Sequence, residues 1–208
     1  MEKNIFIIGG GEIAKGETQE IDESIMKSAI KGSSFVFFGT AAGDAEGYGE
    51  IINKIFGDYF NVTVATEAKG QEFSENAIKN ASVIYLGGGT TKFLIDHFEK
   101  WNLVPLLREA IERGVIVAGM SAGAQALVEW YIHEEDELYE IRKGWNLTAG
   151  SVGVLVHATE ESFNRAKNLF SDSKYTNSKL YGIAEGAALV FGGNSSSFSK
   201  IGAGKIWT

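Results

Sequence analysis

Cysteine is absent from this chain, which excludes a disulfide framework, a thiolate metal site and a cysteine nucleophile, and fits a reducing compartment. Proline occurs once, at Pro105, so no proline-rich linker divides the sequence, whereas 26 glycines imply many tight turns. Basic residues are the minority: 19 Lys and Arg stand against 27 Asp and Glu, giving a net charge of -8 with the lysines scattered. Nucleic acid and anionic membrane both select clustered positive charge, so neither is expected as a partner. Long apolar runs are missing as well. The run at 5–8 meets glycine after four residues, too short for a signal peptide or a membrane span, and a cytoplasmic protein is the expectation. Only three histidines exist, which narrows the search for a general base.

What is present suffices for a full hydrophobic core: 208 residues, 44% of them hydrophobic, read as a single domain over 1–208. Short β-branched or aromatic runs at 5–8, 34–38, 62–65, 83–86 and 115–118 each stop at glycine, threonine or a polar turn. Between them, apolar spacings of three and four predict helices over 21–30, 48–56, 77–81, 91–101 and 104–113. This alternation predicts an α/β protein with a doubly wound, mostly parallel sheet, helices on both faces and functional groups at the carboxyl ends of the strands. From 130 to 145 the pattern turns acidic and aromatic, which reads as a hairpin or excursion with a solvated charge run. A strand at 152–156, a helix at 160–170 and closing strands within 182–201 follow. Neither an internal repeat nor an internal boundary is evident.

The strand at 115–118 runs into Gly119-Met120-Ser121-Ala122-Gly123, which fits the G-x-S-x-G pattern of a nucleophile elbow. A nucleophile in so sharp a turn needs side-chain-free neighbours two positions away, and Gly119 and Gly123 supply them. Because a helix starts at the serine, the N–H of Ala122 is left unpaired toward whatever Ser121 attacks, forming half of an oxyanion hole. A serine hydroxyl requires a base. His97 falls within a helical pattern and His133 opens the acidic stretch, whereas His157 directly follows an apolar strand and therefore reaches the same rim as Ser121.

An acid must orient that imidazole. Glu185 is a lone carboxylate between small residues and apolar runs in Gly182-Ile183-Ala184-Glu185-Gly186, and is preferred; Asp136, within the acidic stretch, is the rival. The second oxyanion donor is expected from Gly87-Gly88-Gly89-Thr90-Thr91, a glycine turn after the 83–86 strand, although the same geometry suits phosphate at a helix start. Gly9-Gly10-Gly11-Glu12-Ile13-Ala14 meets a loose dinucleotide pattern, but Glu12 would face the pyrophosphate and no ribose-binding acid closes the second strand. Neither a cofactor nor a metal is expected.

These four blocks in one order, Gly87 to Thr91, Gly119 to Ala124, His157 and Gly182 to Gly186, resemble the peptidase E and cyanophycinase family of serine peptidases. The resemblance implies a class I glutamine amidotransferase-like fold, a flavodoxin-like three-layer sandwich. It implies Ser121 as nucleophile, His157 as base, Glu185 as third member, and the N–H groups of Gly88 and Ala122 as the oxyanion hole. Gly89, Thr90 and Arg165 would touch substrate. The family pattern carries a Pro-His pair and two helical arginines; here Val156 precedes His157, and Ser162 stands near the place of one arginine, leaving Arg165. The length favours the peptidase E branch. The expected activity is hydrolysis of short peptides, by a dipeptidase or exopeptidase with acidic residues as one target, through an acyl-enzyme. A small peptide is the expected partner, with room for a homodimer. The other readings are a non-catalytic peptide- or nucleotide-binding protein on this fold and an NAD-dependent oxidoreductase.

Overall fold

A computed structural model describes residues 4–135, 138–175, 177–192 and 198–208. In chain order the first part comprises β1 (Asn4–Ile8), α1 (Gln19–Lys27), β2 (Ser34–Phe38), α2 (Glu46–Phe56), β3 (Asn61–Ala65), α3 (Gln71–Asn80), β4 (Val83–Leu86), α4 (Thr91–Lys100), α5 (Leu103–Glu112), β5 (Ile116–Met120) and α6 (Ala122–Leu127). The remainder comprises β6 (Trp130–Glu135), β7 (Leu138–Lys143), β8 (Val152–Leu155), α7 (Glu160–Phe170), β9 (Lys179–Ile183), β10 (Ala188–Gly192), β11 (Phe198–Ile201) and β12 (Ile206–Trp207).

Strands β1 to β5 are short continuous apolar runs because both faces of their sheet are covered, leaving no reason for polar alternation. Along β1, Ile5 and Ile7 join one core while Phe6 and Ile8 join the other. The Phe6 side packs with Phe35, Phe37 and Tyr85 against Ile21 and Ile25 of α1 and Ile52 and Phe56 of α2. The Ile5 side packs against Leu94 and Phe98 of α4, Leu103 and Leu107 of α5, and the small residues of α6. The sheet order is β11-β10-β1-β5-β4-β2-β3, with β1 to β5 parallel and β10 and β11 antiparallel at one side. The expected doubly wound α/β fold is thus present.

One feature goes beyond the expectation. Of the strands after α6, only β10 and β11 extend the first sheet; the other five build a second sheet in the order β12-β9-β8-β6-β7. Tyr131, Val152, Val154, Tyr181 and Ile183 turn one face of it into the core beside α6. Phe163, Ala166 and Phe170 of α7 cover Ile132 and Leu155 on its other face. The parallel pairs β1–β5 and β4–β5 end level, at Ile8 opposite Met120 and Leu86 opposite Gly119, so the loops after three strands open on one rim. Within the second sheet, β8 and β9 also run parallel, Leu155 opposite Gly182, and their outgoing loops come to that rim.

Candidate active site

Ser121 lies directly after β5 with φ 50 and ψ -106, a left-handed backbone seldom tolerated outside glycine and a local strain held by its surroundings. Those surroundings are specific. The Ser121 N–H donates to Ile8 O at 2.9 Å, and its carbonyl accepts from the Gln125 N–H at 3.0 Å. A Cβ on Gly119 would sit 2.4 Å from the Gly123 carbonyl carbon, and one on Gly123 would sit 2.3 Å from Leu86 O. Strand, elbow and helix close on one another only because both positions lack side chains. Ala122 opens α6, so its N–H has no acceptor within the helix.

The Ser121 hydroxyl is 2.8 Å from His157 Nε2, and His157 Nδ1 is 3.1 Å from Glu185 Oε1. Alcohol, imidazole and carboxylate therefore stand in line, brought together from the first sheet, the loop after β8 and the loop after β9. His157 too has a positive φ, of 50, and its N–H donates to Gly9 O at 3.0 Å. The imidazole is about half-exposed and Glu185 is more exposed still. The rival acid, Asp136, lies outside the described residues.

Two contributors carry signals that sequence reasoning assigned elsewhere or missed. Gly10, part of the loose dinucleotide pattern, lies beneath the imidazole: a Cβ there would be 2.4 Å from His157 Cε1. Its carbonyl accepts from the Gly186 N–H at 3.0 Å, and Gly9 N–H donates to Ala187 O at 2.9 Å, so this first glycine turn fastens both the His157 and the Glu185 loops. The second is Tyr48 of α2, whose hydroxyl accepts a hydrogen bond from the Gly88 N–H at 3.1 Å. A lone tyrosine in a helical pattern gave no local sign of it.

Of the remaining expected residues, Gly89 and Thr90 line the cavity that holds Ser121 and His157, of about 670 Å³. Gly89 adopts φ 137 and packs so tightly that a Cβ would be 2.2 Å from Ala41 O, while the Thr90 N–H donates to that same oxygen. Arg165 is not among the lining residues; its guanidinium lies 4.7 Å over the Tyr139 ring. Ser162, near the place of the second expected arginine, instead caps α7: its N–H donates to Thr159 Oγ1, and its hydroxyl accepts from the Thr159 N–H. The cations of the cavity are Lys92 and Arg142, each paired with a carboxylate, Asp96 and Glu140. His133, which opens the acidic stretch, lines the cavity beside Glu134 and Glu135. His97 is buried in α4, its ring 4.0 Å from Trp101, and burial pushes its imidazole down from the ordinary range. Among the described residues no group of His, Cys, Asp and Glu could hold a metal ion, and no described helix is long and apolar enough to cross a membrane.

Fold and site together define an α/β protein with a serine, a histidine and a carboxylate aligned at the rim of a parallel sheet. The model of peptidase family S51 matches residues 5–198, and the chain belongs to that family. It is 31% identical over 127 residues to an uncharacterized peptidase, YgaJ, of Bacillus subtilis, a match covering 60% of this chain and 55% of that protein. It is 29% identical over 109 residues to peptidase E of a Nostoc species, covering 51% and 43%. The chain thus spans about half the length of the curated relatives it matches. Among solved structures, a peptidase from an acI-B1 Actinobacterium superposes with a TM-score of 0.75 at 22% identity, covering 99% of this chain and 90% of that one. A putative peptidase E protein from Listeria monocytogenes superposes with a TM-score of 0.67 at 18% identity, covering 98% and 100%. At these identities the likeness is one of fold.

Proposed function

We propose that this protein is a serine peptidase that cleaves short peptides through an acyl-enzyme on Ser121. The observation that carries the reading is the 2.8 Å contact between Ser121 Oγ and His157 Nε2, continued at 3.1 Å to Glu185. As Ser121 Oγ bonds to the scissile carbonyl carbon, His157 Nε2 takes the hydroxyl proton, and Glu185 favours the resulting imidazolium and holds its ring. The carbonyl oxygen becomes an oxyanion received by the N–H of Ala122, with the Gly88 N–H as second donor; one such donor contributes roughly 10²-fold or more to turnover. Collapse breaks the C–N bond, His157 passes its proton to the leaving amine, and the acyl group remains on Ser121 as an ester. A water that gives its proton to His157 then attacks the ester and releases the acid.

A free short peptide carries an ammonium and a carboxylate. A cavity lined by Glu134 and Glu135 as well as by Lys92 and Arg142 supports a substrate with both charges, acidic peptides included. Gly89 and Thr90 would contact that substrate, while Arg165 would act through Tyr139 and the β6–β7 hairpin. The acidic composition supports neither nucleic acid nor anionic membrane as a partner. A fluorophosphonate should add to Ser121 of the folded protein and fail to add to Ser121→Ala, and a dipeptide library should be digested by the first only. Absence of both labelling and turnover in the wild type would overturn the reading.

A further inference from the structure

The Gly88 N–H, which the proposed reaction needs, already has a partner. It donates to Tyr48 Oη at 3.1 Å, and Gly88 adjoins the nucleophile: a Cβ there would be 3.5 Å from Ser121 Cβ. An oxyanion held by that N–H would lie about 2.7–3.1 Å from the nitrogen along the same direction. The phenol oxygen would therefore compete with the acyl oxygen for that N–H. One N–H proton serves one well-aligned acceptor at a time.

We propose that Tyr48 is a displaceable plug on the Gly88 arm of the oxyanion hole, released by a swing of the first turn of α2 when substrate reacts. The inference rests on the serine peptidase reading. Exchange favours the reaction at the right moment, because a hydrogen bond to a charged acceptor is roughly twice as strong as one to a neutral hydroxyl. Burial pushes the Tyr48 hydroxyl up to about 12, so at neutral pH the plug is the neutral phenol. A carbonyl in the ground state gains little by replacing it; the developing oxyanion gains much.

The turn that carries Tyr48 is built weakly. Its sequence is Glu46-Gly47-Tyr48-Gly49, Ala45 offers no side-chain cap, and Gly43 and Asp44 before it both have left-handed backbone, φ 64 and 56. At Gly49 a Cβ would crowd Val64 Cγ2 at 3.2 Å. Gly47 has open space: nothing lies within 4 Å of the corresponding position. Its effect is to lower the helical preference of the one turn that would have to move.

The test is the second-order rate of fluorophosphonate labelling at Ser121, because phosphonylation also places an oxygen in the hole. Tyr48→Phe keeps the ring against Phe37, whose centroid is 4.8 Å away, and removes only the acceptor. Labelling should accelerate about fivefold, the worth of one net hydrogen bond. Gly47→Ala should raise Tm and slow labelling severalfold. An unchanged or slower rate in Tyr48→Phe, with the wild type labelled, overturns the plug; a large fall would mark the phenol as a donor to the oxyanion instead. A raised Tm without slower labelling in Gly47→Ala overturns the swing. Labelling of Tyr48→Phe alone overturns a plug that substrate can displace, and labelling of neither protein, with no peptide turnover, removes the peptidase reading together with the plug.

Discussion

The two sheets hold their shares of the site in different ways. The seven-stranded sheet delivers Ser121 from a strand buried on both faces, through an elbow in which Gly119, Gly123 and the Leu86 carbonyl touch one another. The five-stranded sheet delivers His157 and leads to Glu185, whose side chains are 48% and 60% exposed and whose loops rest on a few backbone hydrogen bonds to Gly9 and Gly10. Close packing on both sides holds the nucleophile, whereas the more exposed acid and base depend largely on backbone hydrogen bonds of their loops. Changes at the elbow should therefore damage fold and reactivity together, and changes at the acid should damage reactivity alone.

The largest effect that would break this comparison is at Gly123. Gly123→Ala forces a backbone shift at Leu86 and should cost about 2–4 kcal/mol in urea unfolding while abolishing labelling of Ser121. A stable, reactive variant would show that the elbow is looser than its contacts indicate. Next comes Glu185→Gln, which should lower kcat by about 10²-fold, less than for a fully buried triad acid, with Tm unchanged because the position is exposed. A parallel loss of Tm would mean that the second sheet depends on this residue for its fold.

The smallest effect concerns Asp22, a polar group within the better-packed half. It is 4% exposed, Thr18 donates to its Oδ2 at 2.8 Å, and its Oδ1 has no partner among the described residues. Burial pushes its carboxyl up from 3.8 to about 6. With the folded value above the unfolded one, its contribution is fully present below about pH 3.8 and is lost as pH rises through 6. Asp22→Asn should therefore be more stable than the wild type at pH 8, by about 1–2 kcal/mol, with the difference shrinking toward pH 4 in parallel denaturant titrations. An equal gain at both pH values would place the effect outside the ionisation of Asp22.

Much of this architecture is legible from sequence because its signals are local. Strands buried on both faces read as apolar runs, and the Gly119-to-Gly123 spacing announces an elbow whatever the fold around it. His157 and Glu185 were reachable because each follows an apolar strand, although those strands lie in the second sheet, whose rim meets that of the first. Pairing is not local, and so the second sheet was invisible: Val152 to Leu155 reads the same in either sheet. Helix starts faded where the first turn is exposed, as at Gln71 and Glu72 of α3, which carry no apolar period. Arg165 was placed with substrate by resemblance, but an aromatic ring within reach on β7 takes its guanidinium first. Tyr48 needed the loop after β4 to be folded back before its hydroxyl had any meaning.

The bonds from Gly9 to Ala187 and from Gly10 to Gly186 join the beginning of the chain to a stretch nearly 180 residues later. During synthesis the first strand leaves the ribosome long before either partner exists. Ser121, His157 and Glu185 can align only after translation has passed residue 187, so the site is among the last parts of the molecule to form.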